Sequence, residues 1–578
     1  MKQILLSALV LFTSCSVEAP PVAETTTGTV LYTNARIYTL NLDGPWAQAM
    51  VTQGPEIEFV GSEKRARALA GETALEVDLN GAFVLPGFID THTHPGLVGI
   101  LQVHEHESLA GQKLPTTSKD ELYAFLEEYS ASHFWQPLVM LGEWDVQMFL
   151  PDGPTKEDLD RYFKYKPALL FDNSGHSMWM NSMALWLLGI DESTPDLSPG
   201  ISYFVRDELG EPTGWVKEWA AMPYLQKYMV PSKAELKEGI KEYLDFLSEQ
   251  GVTTLMDAGN FSSHEEVYAA LSELDRDGAL PVRYIGSFHV WAPEHLDVAI
   301  EELLALREKY GSDRLVFETI KIHFDGVHEI LTGGELEPYA TAPDVRGGVL
   351  FEAEKLARFI AELNPVGLNL HLHTVGAWAT REALDAVEQA RRKLGELDIE
   401  VALSHLEYVT AEDIPRFAEL DVHANFTPHW FGGSVFGNAG AYNLGPERSS
   451  RSQVVGGFLR AGANITLSSD VVSEAESYRA APFLGMQMSV TRREYDDPTG
   501  PVLSPASASL DLQGAIEAYT LSGARQLGQE SRLGSLEAGK RSDFVVLADD
   551  PFEVDINRLH ELVPRAVVVG GVVESGAL

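Results

Sequence analysis

The chain has a single cysteine, Cys15, among its 578 residues. A disulfide within the chain needs two thiols, so none can form, and a thiolate-based metal cluster is excluded from the body of the chain. Any metal bound after residue 15 must therefore be held by nitrogen and oxygen ligands.

Positive charge is also scarce. Lysine and arginine number 43 against 85 aspartates and glutamates, which gives a formal net charge of −42. This excess disfavours nucleic acid and anionic lipid surfaces as partners. The apolar fraction of 45% nevertheless indicates a globular protein. Its length is sufficient for about two or three structural units.

The apolar run near the N-terminus covers residues 4–12, far short of the ~20 residues of a membrane-spanning helix. Lys2 precedes this run and small residues follow it, which predicts a signal peptide over residues 1–15 and a linker over 16–28. The ending LFTSC resembles a bacterial lipobox, in which Cys15 would be lipidated; an ordinary cleaved signal peptide is the alternative. Either form predicts an exported protein, periplasmic or anchored to the membrane through that lipid.

Short segments rich in Val, Ile and Phe recur along the chain with helical stretches between them. Eight strands with helical crossovers predict an α/β fold, the (β/α)8 TIM barrel, in which active-site residues collect at the C-terminal ends of the strands. The eight segments are residues 84–92, 251–259, 281–290, 317–326, 367–376, 399–408, 422–430 and 464–472.

Side chains that can bind metals lie where these predicted strands end. His92 and His94 close the first strand, and because residues two apart share a face, both can bind one ion. Later strands carry Lys321, His373, His405 and Asp470. A lone strand histidine is more often a hydrogen-bonded core residue, but a barrel would gather this whole set at one rim. Such nitrogen and carboxylate ligands suit Zn²⁺ or a similar divalent ion.

Several stretches, in order, resemble the signatures of amidohydrolase family 3, the YtcJ-like group of the amidohydrolase superfamily. They are PGFIDTHTH, IKIHFDG, HLHTVGAWA, SHLEYVTAEDIPRFAEL, SSDV, AAPFLGMQMSVTRR and RLGSLEAGKRSDFVVLADDP. The resemblance implies a composite β-sandwich from residues 29–83 plus 528–578. It further implies a metal-dependent barrel over 84–527 with an insertion over 100–230 that forms a lid.

The resemblance also implies a role for each ligand. His92 and His94 would bind one metal together with Asp470, and His373 and His405 would bind a second. Lys321 would be carboxylated and bridge the two ions, expected to be zinc; an unmodified Lys321 beside a single ion is the alternative. Asp470 would act as the general base while metal-activated hydroxide attacks a non-peptide C–N bond in an amide, formamide, N-acyl compound or cyclic amide.

Substrate contacts are expected from the insertion and the rim loops. His176 is a candidate for holding the substrate, with lid packing as the alternative. At the position where the family usually has a charged Asp-Arg pair, this chain has Ala377 and Trp378, which suggests a more apolar substrate. His323 and His371 are interpreted as supporting or structural residues. The further candidates for substrate contact are Trp144, Asp145, Asp325, Trp378, His429 and Trp430.

Two other functions are compatible with the sequence. A deaminase of the same superfamily would use one metal ion, although Lys321 argues against it. A solute-binding lipoprotein without catalysis is the other, but all six ligand positions are filled. In each case the expected partner is a small molecule, and no nucleic acid is expected. The lipid anchor is the expected membrane contact, and a homodimer is the candidate assembly.

Overall fold

The computed structural model describes residues 28–108, 114–115, 118–432 and 435–578. The predicted signal peptide, the predicted lipidation site Cys15 and nearly all of the predicted linker lie outside these described residues. Among the residues described, no helix combines the length and the hydrophobicity needed to cross a bilayer.

The central element is an eight-stranded parallel sheet that curls into a barrel. Neighbouring strands pair in chain order. The last strand meets the first through two backbone hydrogen bonds, from Asp470 N–H to His92 O (2.8 Å) and from His94 N–H to Val471 O (3.2 Å). The predicted TIM barrel is therefore confirmed. Its strands are Phe88–Thr93, Val252–Asp257, Arg283–Val290, Leu315–His323, Asn369–Thr374, Val401–His405, His423–Phe426 and Ile465–Leu467.

Amphipathic helices surround the barrel. The helix before the second strand, Lys233–Glu249, begins with a capping box between Ser232 and Glu235 and buries Leu236, Ile240 and other residues three or four apart. The other helices around the barrel and after it are His264–Arg276, Ala299–Tyr310, Ala353–Leu363, Ala377–Leu394, Ile414–Glu419, Val435–Leu444, Pro446–Ser449, Val455–Arg460, Pro482–Thr491, Leu512–Ala518 and Leu521–Gln526. Short 3-10 helices are Val146–Phe149, Phe261–Ser263, Pro293–Asp297, Asn364–Val366, Pro428–Gly432, Glu474–Ala480, Ala506–Ala508 and Ile556–Glu561.

Segments from both ends of the chain form two further sheets that share one apolar core. One sheet contains Thr29–Thr33, Ala49–Gln53, Glu56–Gly61 and Leu75–Asp78, and the helix Glu63–Ala70 packs beside it. The other contains Arg36–Tyr38, Trp46–Ala47, Phe83–Pro86, Phe544–Leu547, Ala566–Val569 and Val572–Gly576.

The segment predicted as one strand over residues 84–92 is two strands. Phe83–Pro86 pairs antiparallel with Phe544–Leu547 in the outer sheet. Gly87 then donates its N–H to Asp543 O (2.9 Å), and the barrel strand starts at Phe88. Gly87 permits this transition because a Cβ there would lie 2.2 Å from Thr253 Oγ1. The outer sheet therefore includes a four-residue strand that begins at Phe83.

The region between the first two barrel strands folds into its own sheet. Three tryptophans, Trp144, Trp179 and Trp215, are buried in its core. Its strands are Val139–Trp144, Ala168–Asp172, Ser177–Met180, Tyr203–Arg206 and Pro212–Lys217. Its helices are Pro95–Ser108, Lys119–Ser132, Lys156–Phe163, Ser182–Leu188 and Met222–Met229.

Candidate metal centre

The carboxylate of Asp470 is the point at which the predicted ligands meet. Its Oδ1 lies 3.3 Å from His92 Nε2 and 3.4 Å from His94 Nε2, and its Oδ2 lies 3.5 Å from His405 Nδ1. His92, His405 and Asp470 offer ligand atoms that all lie within 4.8 Å of one another. Asp470 and His405 also adopt positive φ angles of 53° and 74°. Such costly backbone conformations concentrate at functional sites.

Lys321 and His373 complete the cluster. Lys321 Nζ lies 3.3 Å from His92 Nε2, and the His373 ring centroid lies 4.4 Å from that of His405. All three of Lys321, His373 and His405 are buried. Residues scattered over nearly the whole barrel are therefore brought together at the C-terminal rim, as the barrel geometry predicts.

Hydrogen bonds to the rear of the rings orient two of the histidines. His94 Nδ1–H donates to Gly259 O (3.0 Å), and His373 Nδ1–H donates to Asp325 Oδ1 (3.0 Å). In each ring this leaves the Nε2 lone pair free for a ligand, which is the tautomer that metal binding requires.

The protonation states also suit a cation. Burial lowers the pKa of His92 well below its usual value and lowers that of His405 to about 3, so both rings are neutral near pH 7. Burial raises the pKa of Asp470, but attraction to the His405 and His94 rings outweighs this and lowers it to about 2. Burial lowers the pKa of Lys321 to about 7. Neutral imidazoles and an ionised carboxylate are the forms that bind metals.

The residues present therefore fit a divalent ion. Within the described residues, neither ring nitrogen of His405 makes a hydrogen bond, although both are buried. Unpaired buried nitrogens are unfavourable unless something binds them. The donor set of imidazole and carboxylate, without thiolate, is the set expected for Zn²⁺ or a similar ion in an open site.

A cavity of about 690 Å³ opens onto the cluster. Much of its wall is apolar and comes from the region between the first two barrel strands, which contributes Met140, Phe171, Trp219, Met222 and Met229. Histidines line the part nearest the cluster, namely His92, His94, His176, His289, His323, His373, His405 and His429.

Comparison with known proteins identifies the family. A model described as the amidohydrolase family matches residues 75–573. The chain belongs to the amidohydrolase family. Among its relatives, the amidohydrolase YtcJ of Bacillus subtilis, described as putative, is 28% identical and aligns over 93% of this chain and 97% of its own length. The N-substituted formamide deformylase of Arthrobacter pascens is 26% identical over 93% of this chain and 97% of its own.

A solved structure shows the same fold. A metal-dependent hydrolase of uncharacterised function from Pyrococcus horikoshii matches with a TM-score of 0.66 and 23% identity, over 92% of this chain and 99% of that one. At this identity the match supports the amidohydrolase fold alone.

Three of the predicted substrate contacts of this amidohydrolase line the cavity. They are His176, His429 and Trp430. Trp430 stacks on the ring of His405, with centroids 5.4 Å apart and planes 25° apart. His176 Nδ1 pairs with Glu218 Oε2 at 2.6 Å.

The other four predicted contacts do not line the cavity. Trp144 is fully buried in the core of the inserted sheet, where its indole N–H donates to Leu170 O. Asp145 caps the 3-10 helix Val146–Phe149. Trp378 contacts the guanidinium of Arg346 and donates to Glu382, so it cannot make the pocket apolar.

Asp325, the fourth, supports the centre from behind. It is fully buried and accepts hydrogen bonds from His373 and from the backbone of Gly334, Val375 and Gly376. His371, interpreted as a supporting residue, lies with Nε2 3.0 Å from His92 Nδ1. Both residues therefore lie behind histidines of the cluster and outside the cavity wall.

Sequence reasoning missed Glu218 and His289. Glu218 follows the inserted strand Pro212–Lys217 and is buried against His176. His289 lies in the third barrel strand and lines the cavity. Neither belongs to a spaced motif; a period-2 reading of the third strand could have placed His289 on the inner face, but no local signal indicates Glu218.

Proposed function

We propose that this amidohydrolase hydrolyses a non-peptide C–N bond with two divalent ions, expected to be zinc. The single observation that carries the proposal is the contact of one carboxylate, Asp470, with His92, His94 and His405. His92, His94 and Asp470 would hold one ion, and His373 and His405 the second. Lys321, as a carbamate, would bridge them.

Bound divalent ions would supply Lewis acidity, polarising the scissile carbonyl and acidifying a water molecule. The protein supplies the proton transfer. Asp470 is ionised and faces the same space as the imidazoles, so it can accept the proton of the attacking water and deliver it to the leaving nitrogen. Trp430 stacks on the ring of His405, and the apolar wall borders the space in which this step would occur.

The proposed substrate is a small amide with an apolar substituent. The cavity is large enough for a small molecule, and its outer wall carries Met140, Phe171, Met222 and Met229. The relative from Arthrobacter pascens is named for cleaving N-substituted formamides. N-substituted formamides, N-acyl compounds and cyclic amides are therefore the first substrates to test.

Deamination is the second candidate. A 5-methylthioadenosine/S-adenosylhomocysteine deaminase of Teredinibacter turnerae is 26% identical over 48% of this chain. A deaminase with one metal ion does not need the lysine that lies beside His92 in this structure. This contact makes amide hydrolysis the better supported function.

The test begins with elemental analysis of protein purified without chelator. Wild-type protein is expected to hold two more ions per chain than Asp470→Asn, which should also lose activity. The loaded protein is then assayed on formamides, N-acyl amino acids, lactams and esters, and on aminopurines with ammonia detection. Ammonia release without amide cleavage would replace the proposal by deamination. An enzyme that is equally active after metal removal would refute it.

The proposed setting is outside the cytoplasm, anchored through a lipid on Cys15. The support is the apolar run followed by LFTSC in the sequence. Metabolic labelling with a fatty acid is expected to label the full chain and not Cys15→Ser. Export of unlabelled wild-type protein would indicate the ordinary cleaved signal peptide.

A further inference from the structure

A second group of potential ligands lies in the same cavity, away from Asp470. It consists of His176, Glu218 and His323, whose ligand atoms all lie within 4.8 Å of one another. His323 ends the fourth barrel strand, whereas His176 and Glu218 flank two strands of the inserted sheet. The group therefore joins two separately folded parts of the chain.

The backbone holds this group in place. Glu218 N–H donates to His176 O at 2.6 Å, which fixes the two inserted loops to each other. Glu218 is almost fully buried and has a positive φ of 51°. The hydroxyl of Thr332 donates to its Oε1, and Gly326 leaves space for that oxygen, since a Cβ there would lie 2.3 Å away. The other oxygen, Oε2, is thereby directed to the histidines.

A hydrogen bond joins His176 to Glu218, but none joins either of them to His323. Glu218 Oε2 lies 2.6 Å from His176 Nδ1, a short hydrogen bond. The same oxygen lies 3.8 Å from His323 Nε2, too far for a hydrogen bond. His323 is 8% exposed, and within the described residues its Nε2 has no hydrogen-bond partner. A buried ring nitrogen beside a carboxylate, with nothing between them, is the arrangement that a cation would complete.

We propose that His176, Glu218 and His323 bind a divalent cation of their own, separate from the ions of the Asp470 set. Two imidazoles and a carboxylate are a donor set of catalytic zinc sites, which keep one position open. His176 and His323 both border the cavity, so an ion can enter and its open position faces the space for substrate.

The ion would tie the inserted sheet to the barrel rim. Because it binds residues of both units only when they are docked, it stabilises the docked state by mass action. It would also border the substrate space close to the Asp470 set, since the rings of His323 and His373 stack with centroids 4.0 Å apart.

The experiment compares zinc bound per chain, after chelation and reloading with stoichiometric zinc, in full-length variants. Glu218→Gln keeps the shape of the side chain, but it removes the charge and replaces one acceptor oxygen by an NH₂ group. It is expected to hold one ion fewer than wild type, whereas Asp470→Asn loses ions of the other set and keeps the one that depends on Glu218. Glu400→Gln is the matched control, because Glu400 pairs with His423 at 2.7 Å outside the cavity, and it should retain every ion.

Equal zinc content in wild type and Glu218→Gln would overturn the proposal, as would an ion that binds there only at millimolar zinc. If circular dichroism shows that Glu218→Gln is misfolded, anomalous diffraction at the zinc edge from wild-type crystals decides. A peak among the three side chains is expected, and its absence would refute the site. Because Asp470→Asn is measured in parallel, failure of this site is distinguishable from failure of the proposed hydrolase centre.

Discussion

Replacing Asp325 by asparagine tests how the metal centre is supported. Asp325 Oδ1 accepts from His373 Nδ1 and Val375 N–H, both at 3.0 Å. Its Oδ2 accepts from Gly334 N–H at 3.0 Å and Gly376 N–H at 2.9 Å. In Asp325→Asn one of the two carboxylate oxygens is replaced by an NH₂ group. Whichever oxygen is replaced, the two N–H groups that it accepted then face another donor.

The magnitude follows from this count. A buried group that loses its partner costs about 1–3 kcal/mol, so two of them lower the free energy of unfolding by about 2–6 kcal/mol. The substitution also changes the carboxyl group behind His373, whose pKa burial raises to about 8. Loss of such an outer partner typically weakens metal binding by about 10–100-fold. The two effects are measured separately, by urea denaturation of the metal-free protein and by zinc competition with a chromophoric chelator.

Asp413→Asn is the matched control for this variant. Asp413 is also buried and accepts from Arg381, Arg416 and Thr410, but it does not line the cavity. It should lose stability and keep the zinc affinity of wild type. A change in zinc affinity of about twofold or less would be far below that expected for a lost outer partner. If Asp325→Asn loses stability and shows only such a small change in zinc affinity, the assigned role of Asp325 is wrong.

Three further predictions concern other parts of the molecule. Lys321→Met should lower activity by more than about 100-fold, because losing a ligand exceeds the cost of losing an outer partner; bicarbonate should speed zinc reconstitution of wild type and not of this variant. Gly96→Ala should lower the urea midpoint, at a cost of about 1–3 kcal/mol, because its Cβ would lie 1.9 Å from Asn260 Oδ1. His328 pairs with two carboxylates, each at 2.9 Å, and although burial lowers its pKa, these bonds raise it to about 10. The pKa of His328 in the folded state is thus above its value in the unfolded state. The stability lost in His328→Gln should therefore be largest below pH ~6.5 and should shrink towards pH 10, at roughly 1.4 kcal/mol per pKa unit. An equal loss at pH 6 and pH 10 would contradict this.

The clustering of residues around Asp470 could be predicted from sequence because their positions depend on a local rule. A strand presents alternate residues to one face and ends at the barrel rim, so a histidine at a strand end, such as His94 or His405, has one destination. The cavity wall follows no such rule. Trp144 is of a residue type that is common in binding pockets, yet it is buried in the core of the inserted sheet. Glu218 belongs to no motif, yet its carboxylate contacts a histidine of the cavity.

Strand register explains why the two groups of ligands share one cavity. In the parallel pairing of the fourth and fifth barrel strands, Lys321 lies opposite His371 and His323 lies opposite His373. Lys321 and His323 are two residues apart and therefore point to the same side, one towards His92 and the other towards Glu218. A register shift of one residue would turn both away from the cavity. The fourth strand thus sets the spacing of the proposed hydrolase centre and of the proposed additional ion together.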